Sequence, residues 1–237
     1  MKNKTIKYAP LRLHNFILKR MLASGSSGYI KKGTFTNEIV WGNYSYIFPC
    51  MNKKSQTNFK KGMFLFGMVR RDAKKFIKRR PNFRVPKRHA QIEYNKDINF
   101  DIFGDVTGTD LNHAYWRIAY NLGIISDKTY IKGIDDKFKS VRLAALSTLG
   151  SDKKYQKISG GKITQDTLII KGEEDLQRVY VLIRLTCYKY MSQVKKMLGK
   201  DFLCYKTDAI YYIDTKENRQ KVREFFKSKD LLMKQLV

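Results

Sequence analysis

Two aspartates, Asp110 and Asp208, each stand beside β-prone residues. Asp110 lies in Thr109-Asp110-Leu111-Asn112-His113-Ala114-Tyr115-Trp116, downstream of the run Ile98-Asn99-Phe100-Asp101-Ile102-Phe103. Asp208 lies in Tyr205-Lys206-Thr207-Asp208-Ala209-Ile210-Tyr211-Tyr212, after Phe202-Leu203-Cys204. If the two strands run side by side, two carboxylates meet at one end of a sheet. Carboxylates that close repel unless a cation sits between them. A pair of Mg²⁺ ions about 3.5–4 Å apart is the usual solution where the chemistry is phosphoryl transfer. Each aspartate also has a plainer reading. Asp is a favoured N-cap residue, so Asp110 can simply cap the helix that follows. Asp is equally common in tight turns, where Asp208 falls.

The elements around them are read from periodicity and breakers. A strand leads to Asp110, and a helix follows over 113–122, stopped by Gly123. Residues 127–136 read as a connection and 137–149 as a second helix ending at Gly150. Residues 153–171 alternate as a hairpin around Gly160-Gly161. Glu173-Glu174-Asp175 places acids at the positive end of a long helix that runs to about Leu198. The hairpin 202–213, a helix over 216–226 and a basic tail complete the chain. Residues 98–213 therefore predict an α+β layer, an antiparallel sheet with helices on one face.

Upstream, residues 8–23 predict an amphipathic helix with Leu13, Phe16, Ile17 and Met21 at helical spacing. Short strands follow at 29–30, 39–41 and 44–48. Residues 51–61 read as a loop and 63–69 as a buried strand, with Asp72 capping a short helix over 73–79. Two prolines make residues 78–89 extended. That stretch reads either as a phosphate track or as a solvated linker. The expected division is a basic, β-rich N-terminal lobe over 1–90 and a second domain over 91–237.

Charge sharpens the function class. The 237 residues carry 48 Lys plus Arg against 21 acids, a net charge of +27. Residues 1–90 hold 22 of those bases and only two acids, Glu38 and Asp72, so about +20 lies there. Such an imbalance implies a polyanionic partner or a very soluble surface, and its concentration in one part favours the first. Arg70, Arg71, Lys78, Arg79, Arg80, Arg84, Lys87 and Arg88 are the candidate nucleic-acid contacts. Cys50, Cys187 and Cys204 are odd in number and far apart, which supports neither a zinc ribbon nor a disulfide framework. His14, His89 and His113 are scattered and make no zinc site. No apolar run reaches membrane-spanning length, and no apolar core follows the basic N-terminus as in a signal peptide. The expectation is an intracellular protein with no membrane partner.

Asp-x-Asn-x-x-Tyr at Asp110, Asn112 and Tyr115 resembles motif A of family B DNA polymerases. Thr207-Asp208 within a hairpin resembles their motif C, and Arg142 to Gly150 resembles a worn motif B. The motifs occur in family order over about residues 98–215. The resemblance implies a polymerase palm of the type found in phages or mobile elements, with Mg²⁺ or Mn²⁺ held by Asp110 and Asp208. Its partners would be DNA, with RNA as the alternative template, and dNTPs. Tyr115 would lie under the incoming sugar and exclude a 2′-hydroxyl, and Arg142 would hold the triphosphate. The departures are specific. Trp116 replaces a proline, Lys206 replaces the first acid of Asp-Thr-Asp, and Leu146 and Leu149 replace a polar and an aromatic residue. Lys206 could contact a primer phosphate. The stretch between motifs A and B is too short for long fingers helices, and 29 residues after motif C are too few for a full thumb. Two other readings stay open. One is a non-catalytic accessory subunit, or one piece of a split polymerase, with a protein partner supplying fingers or thumb. The other is a basic structural protein in which the two carboxylates lie far apart.

Overall fold

The alternating apolar residues around Asp208 fold into the hairpin that their pattern predicts, and the surrounding elements assemble as an α+β protein. The computed structural model describes residues 4–33, 36–50, 53–96 and 105–236. In chain order the first elements are β1 (Thr5–Tyr8), α1 (His14–Ala23), β2 (Gly28–Lys31), β3 (Thr36–Trp41), β4 (Tyr44–Pro49), α2 (Lys53–Gly62) and α3 (Phe64–Arg79). Then come β5 (Ile92–Tyr94), β6 (Val106–Asn112), α4 (Ala114–Asn121), α5 (Asp127–Ile134) and α6 (Lys139–Ser147). The remainder is β7 (Lys153–Ser159), β8 (Lys162–Ile170), α7 (Glu174–Leu198), β9 (Phe202–Lys206), β10 (Ala209–Ile213), α8 (Lys216–Ser228) and β11 (Leu232–Leu236).

The chain divides into two compact units, Met1–Met63 with Ser151–Glu173, and Phe64–Gly150 with Glu174–Val237. These units do not follow the expected boundary at residue 90. The hairpin β7–β8 joins the first unit because β7 pairs with β2, Gly28 opposite Ile158. That pairing spans 130 residues of sequence, which local pattern cannot reveal. The first unit's sheet is mixed, in the order β1-β4-β3-β2-β7-β8, with β1 parallel to β4. Met21, Ile30, Ile39, Phe48 and Ile158 form its core.

The second unit holds an antiparallel sheet in the order β11-β6-β10-β9-β5. Thr107, Thr109 and Leu111 of β6 and Ile210 and Tyr212 of β10 are buried at alternate positions. α8 lies on the Thr109 side, and Lys195 of α7 sits 5.5 Å from the ring of Phe202, which pairs with Tyr212. Asp110 occupies the opposite face by the period-2 rule.

Four local expectations are corrected. Residues 63–69 are not a strand. Leu65, Met68, Val69, Ala73 and Phe76 are buried at helical spacing on one continuous α3. A short apolar run carries too few residues to separate the two periods. Asp72 is therefore mid-helix, not a cap of its own helix. It accepts hydrogen bonds from Ser126 N (3.0 Å), Ser126 Oγ (2.7 Å) and Thr129 Oγ1, at the start of α5. Residues 53–62 are helical and 127–134 form α5, where loops were expected, and Ser126 Oγ caps α5 by accepting from Thr129 N. The basic tail is not a tail, because β11 pairs with β6 along Leu232–Leu236. The expected strand over 98–103 lies outside the described residues.

Candidate active site

Backbone pairing brings the two aspartates together. β6 and β10 run antiparallel with Asp110 opposite Ala209, and Leu111 N donates to the carbonyl of Asp208 at 3.0 Å. Asp208 is the second residue of a two-residue hairpin loop, flanked by the paired Lys206 and Ala209. The first loop residue, Thr207, has φ 62°. A β-branched residue at positive φ is strained, since left-handed backbone crowds Cβ against the following carbonyl. The loop is held there from outside. Thr207 N donates to Gln91 O at 2.8 Å, and Cys187 Sγ of α7 lies 3.6 Å from Thr207 O. Asp110 is part of β6 itself, and His113 is the N-cap of α4, so Asp110 is not a helix cap.

The same register places a row of side chains across the face that carries Asp110. It runs Lys234, Asp110, Ala209, Lys206, Ile92 over β11, β6, β10, β9 and β5. Lys234 and Lys206 are both exposed and stand on either side of the carboxylate pair.

Electrostatics agree with the backbone. Burial, reinforced by the charge of Asp110, pushes the Asp208 carboxyl up to about 6. Burial also raises Asp110, opposed by the nearby ammonium groups of Lys139 and Lys234. Asp208 is therefore costly to ionise beside Asp110, and a bound cation would relieve that cost.

A cavity of about 360 Å³ opens over the pair. Asn112, His113, Tyr115, Lys139 and Arg142 line it together with Asp110 and Asp208. Lys139, at the start of α6, is exposed, and its charge acts on both aspartates. Sequence reasoning missed it. The available signal was its position one turn before Arg142, at the mouth of the same helix.

Arg142 does not stand as a free triphosphate clamp. It is 1% exposed. Its Nη1 donates to the carbonyls of Gly133 (2.9 Å), Ile134 (3.3 Å) and Asp135 (3.0 Å). Its Nη2 donates to His113 Nδ1 and lies 3.6 Å from Asp136. With Nδ1 accepting, the neutral His113 ring presents its Nε2 proton to Asp136 at 3.5 Å. Burial and the Arg142 charge lower the His113 pKa, which keeps the ring neutral. His113 is itself held at φ 56°, so the arginine fixes a strained residue at the cavity wall.

Tyr115 is the second residue of α4 and donates to Tyr188 Oη at 3.3 Å. Burial, then neighbouring Cys187 and Tyr188 and the Asp208 charge, drive its phenol pKa far upward, so it stays protonated. Arg184 donates in turn to Tyr188 Oη from Nε (3.3 Å) and Nη2 (3.2 Å), locking the pair. Trp116 is a core residue. Its Nε1 donates to Tyr130 O at 3.2 Å, and a Cβ on Gly133 would meet its ring at 2.2 Å. Arg70, Arg71, Lys78 and Arg79 lie on α3, with Arg80, Arg84, Lys87 and Arg88 beyond it. None of these eight lines the aspartate cavity.

Among the described residues, no three His, Cys, Asp or Glu side chains gather as a metal centre. The donor set is two aspartates. Hard carboxylate oxygens in that number suit Mg²⁺, which keeps several waters and takes its other ligands from substrate phosphates. No family model, curated protein or solved structure matches the chain.

Proposed function

We propose that the second unit is a metal-dependent nucleotidyltransferase that extends a DNA primer with dNTPs. The observation that carries this reading is the cross-strand placement of Asp110 beside Asp208 under a cavity with an exposed lysine on its wall. Asp110 and Asp208 would hold Mg²⁺ or Mn²⁺. The bound ions would supply Lewis-acid activation of the primer 3′-hydroxyl and charge neutralisation of the triphosphate. Lys139 stands where it can bind the triphosphate, the role that the buried Arg142 is poorly placed to take. Arg142 instead positions His113. Tyr115, protonated and fixed by Tyr188, offers its ring as a shelf for the incoming sugar. Lys206 and Lys234 flank the carboxylates on the open face and suit a primer phosphate.

One observation favours a second reading, a primer-binding accessory subunit. Two ammonium groups, Lys139 and Lys234, act on Asp110, and an ammonium competes with metal. Pyrophosphate release separates the two. The transferase reading predicts release from dNTPs that requires both primer–template and divalent metal. The accessory reading predicts salt-sensitive binding of primer–template with no release.

A further inference from the structure

Helix α3 carries its cations in two parallel rows. Arg70, Lys74 and Lys78 follow one another at four-residue steps, and Arg71, Lys75 and Arg79 do the same beside them. Four residues of helix advance about 6 Å, close to the separation of successive phosphates along a nucleic-acid strand. Like charges at i,i+4 destabilise a helix. Ordinary surface helices avoid this by mixing signs. α8 does so, with Glu217 paired to Lys221 at 2.6 Å and Gln220 bonded to Glu224. α3 does not. Its one acid, Asp72, is buried, accepts from Ser126 and Thr129, and lies 3.5 Å from Arg71 alone among the cations of the two rows. Among the described residues no carboxylate pairs with Lys75 or Lys78.

The second row ends in a cavity of about 1020 Å³, walled by Arg71, Lys75, Lys78, Arg79 and Arg80 on one side and the 120–128 segment, with Lys128, on the other. Tyr120 lines this cavity, and Tyr130 stacks behind it, with ring centroids 4.3 Å apart and 23° between the planes. The cavity's other acid, Asp127, is engaged by the Tyr120 hydroxyl. A cationic rail ending at a braced aromatic ring is the pattern that binds single strands, with phosphates on the cations and a base on the ring.

We propose that α3 and the 120–128 segment form a binding track for single-stranded nucleic acid, with a base stacked on Tyr120. This site is separate from the aspartate cavity and shares no lining residue with it. The test is fluorescence anisotropy with a labelled 12-nucleotide oligothymidylate and the full-length Asp208→Asn chain in EDTA, so that catalysis plays no part. Lys75→Gln/Lys78→Gln should weaken binding about tenfold. It should also flatten the slope of log K against log salt by about 1.4, near 0.7 for each phosphate that is no longer neutralised. Tyr120→Ala should weaken binding about tenfold with the slope unchanged, and Tyr120→Phe should keep wild-type affinity. An unchanged slope in the double variant, with its circular dichroism intact, would overturn the track. So would tighter binding of a duplex of equal length, or full affinity in Tyr120→Ala.

Discussion

The amide of Leu111 donates to the carbonyl of Asp208 at 3.0 Å, which ties the strand bearing Asp110 to the turn bearing Asp208. This one bond sets the spacing of the carboxylate pair through backbone rather than through flexible side chains. The pair is therefore present before any cation arrives, and it is strained electrostatically.

That strain should be measurable in metal-free protein. The folded-state pKa of Asp208 is raised, so its contribution to stability is intact below the usual carboxylate range and is lost as pH rises through about 6. Asp208→Asn should consequently raise Tm by several degrees at pH 7.5, and the gain should vanish below about pH 4. Scanning calorimetry in EDTA at the two pH values checks this. Mn²⁺ should stabilise the wild type and leave the variant unmoved.

Asp72 should behave with the opposite sign. Burial pushes its carboxyl up, but hydrogen bonds from Thr129 and Ser126, with the Arg71 charge, outweigh that and hold its pKa below the usual range. Its stabilisation is present above that range and is lost as pH falls through the folded-state value. Asp72→Ala should cost about 2–3 kcal/mol near neutral pH by urea unfolding, with the difference shrinking in acid.

Lys139 and Arg142 should separate cleanly. Arg142→Ala leaves three carbonyls without their buried donor and should destabilise the protein by about 3 kcal/mol or more. Lys139→Ala, at an exposed position, should leave Tm within about 2 °C and raise KM for dNTP about tenfold. Steady-state kinetics beside thermal unfolding distinguishes the two outcomes.

Much of this site could be read from residue order alone, and the reasons are physical. Asp110 follows a β-prone run and Asp208 sits between two apolar strands, and the two-residue turn at Thr207-Asp208 makes a hairpin the natural reading. The helix after His113 and its stop at Gly123 follow the same local rules. Arg142 could not be judged this way, because an arginine's partners here are backbone carbonyls seven to nine residues away. Lys139 was hidden because a lysine at a helix start looks like any solvated residue. The affiliation of β7 with β2 and of β11 with β6 depends on long-range pairing, to which hydrophobic period is blind.

Thr207 offers a test of loop strain. Thr207→Gly removes a β-branched side chain from φ 62° and should stabilise the protein by up to about 1 kcal/mol. Urea midpoints of the wild type and variant decide it, and a loss of stability would mean that the lost hydrogen bond from Gln91 Nε2 to Thr207 Oγ1 (3.4 Å) outweighs the strain.

Primer extension tests the central claim most directly. Purified protein is incubated with a labelled primer–template, all four dNTPs and Mg²⁺ or Mn²⁺, beside Asp208→Asn. The account predicts templated extension by the wild type and a loss of about a hundredfold or more in the variant, since several kcal/mol of charge stabilisation depend on the metal. Binding of primer–template by both proteins with extension by neither, or equal extension by both, would contradict it.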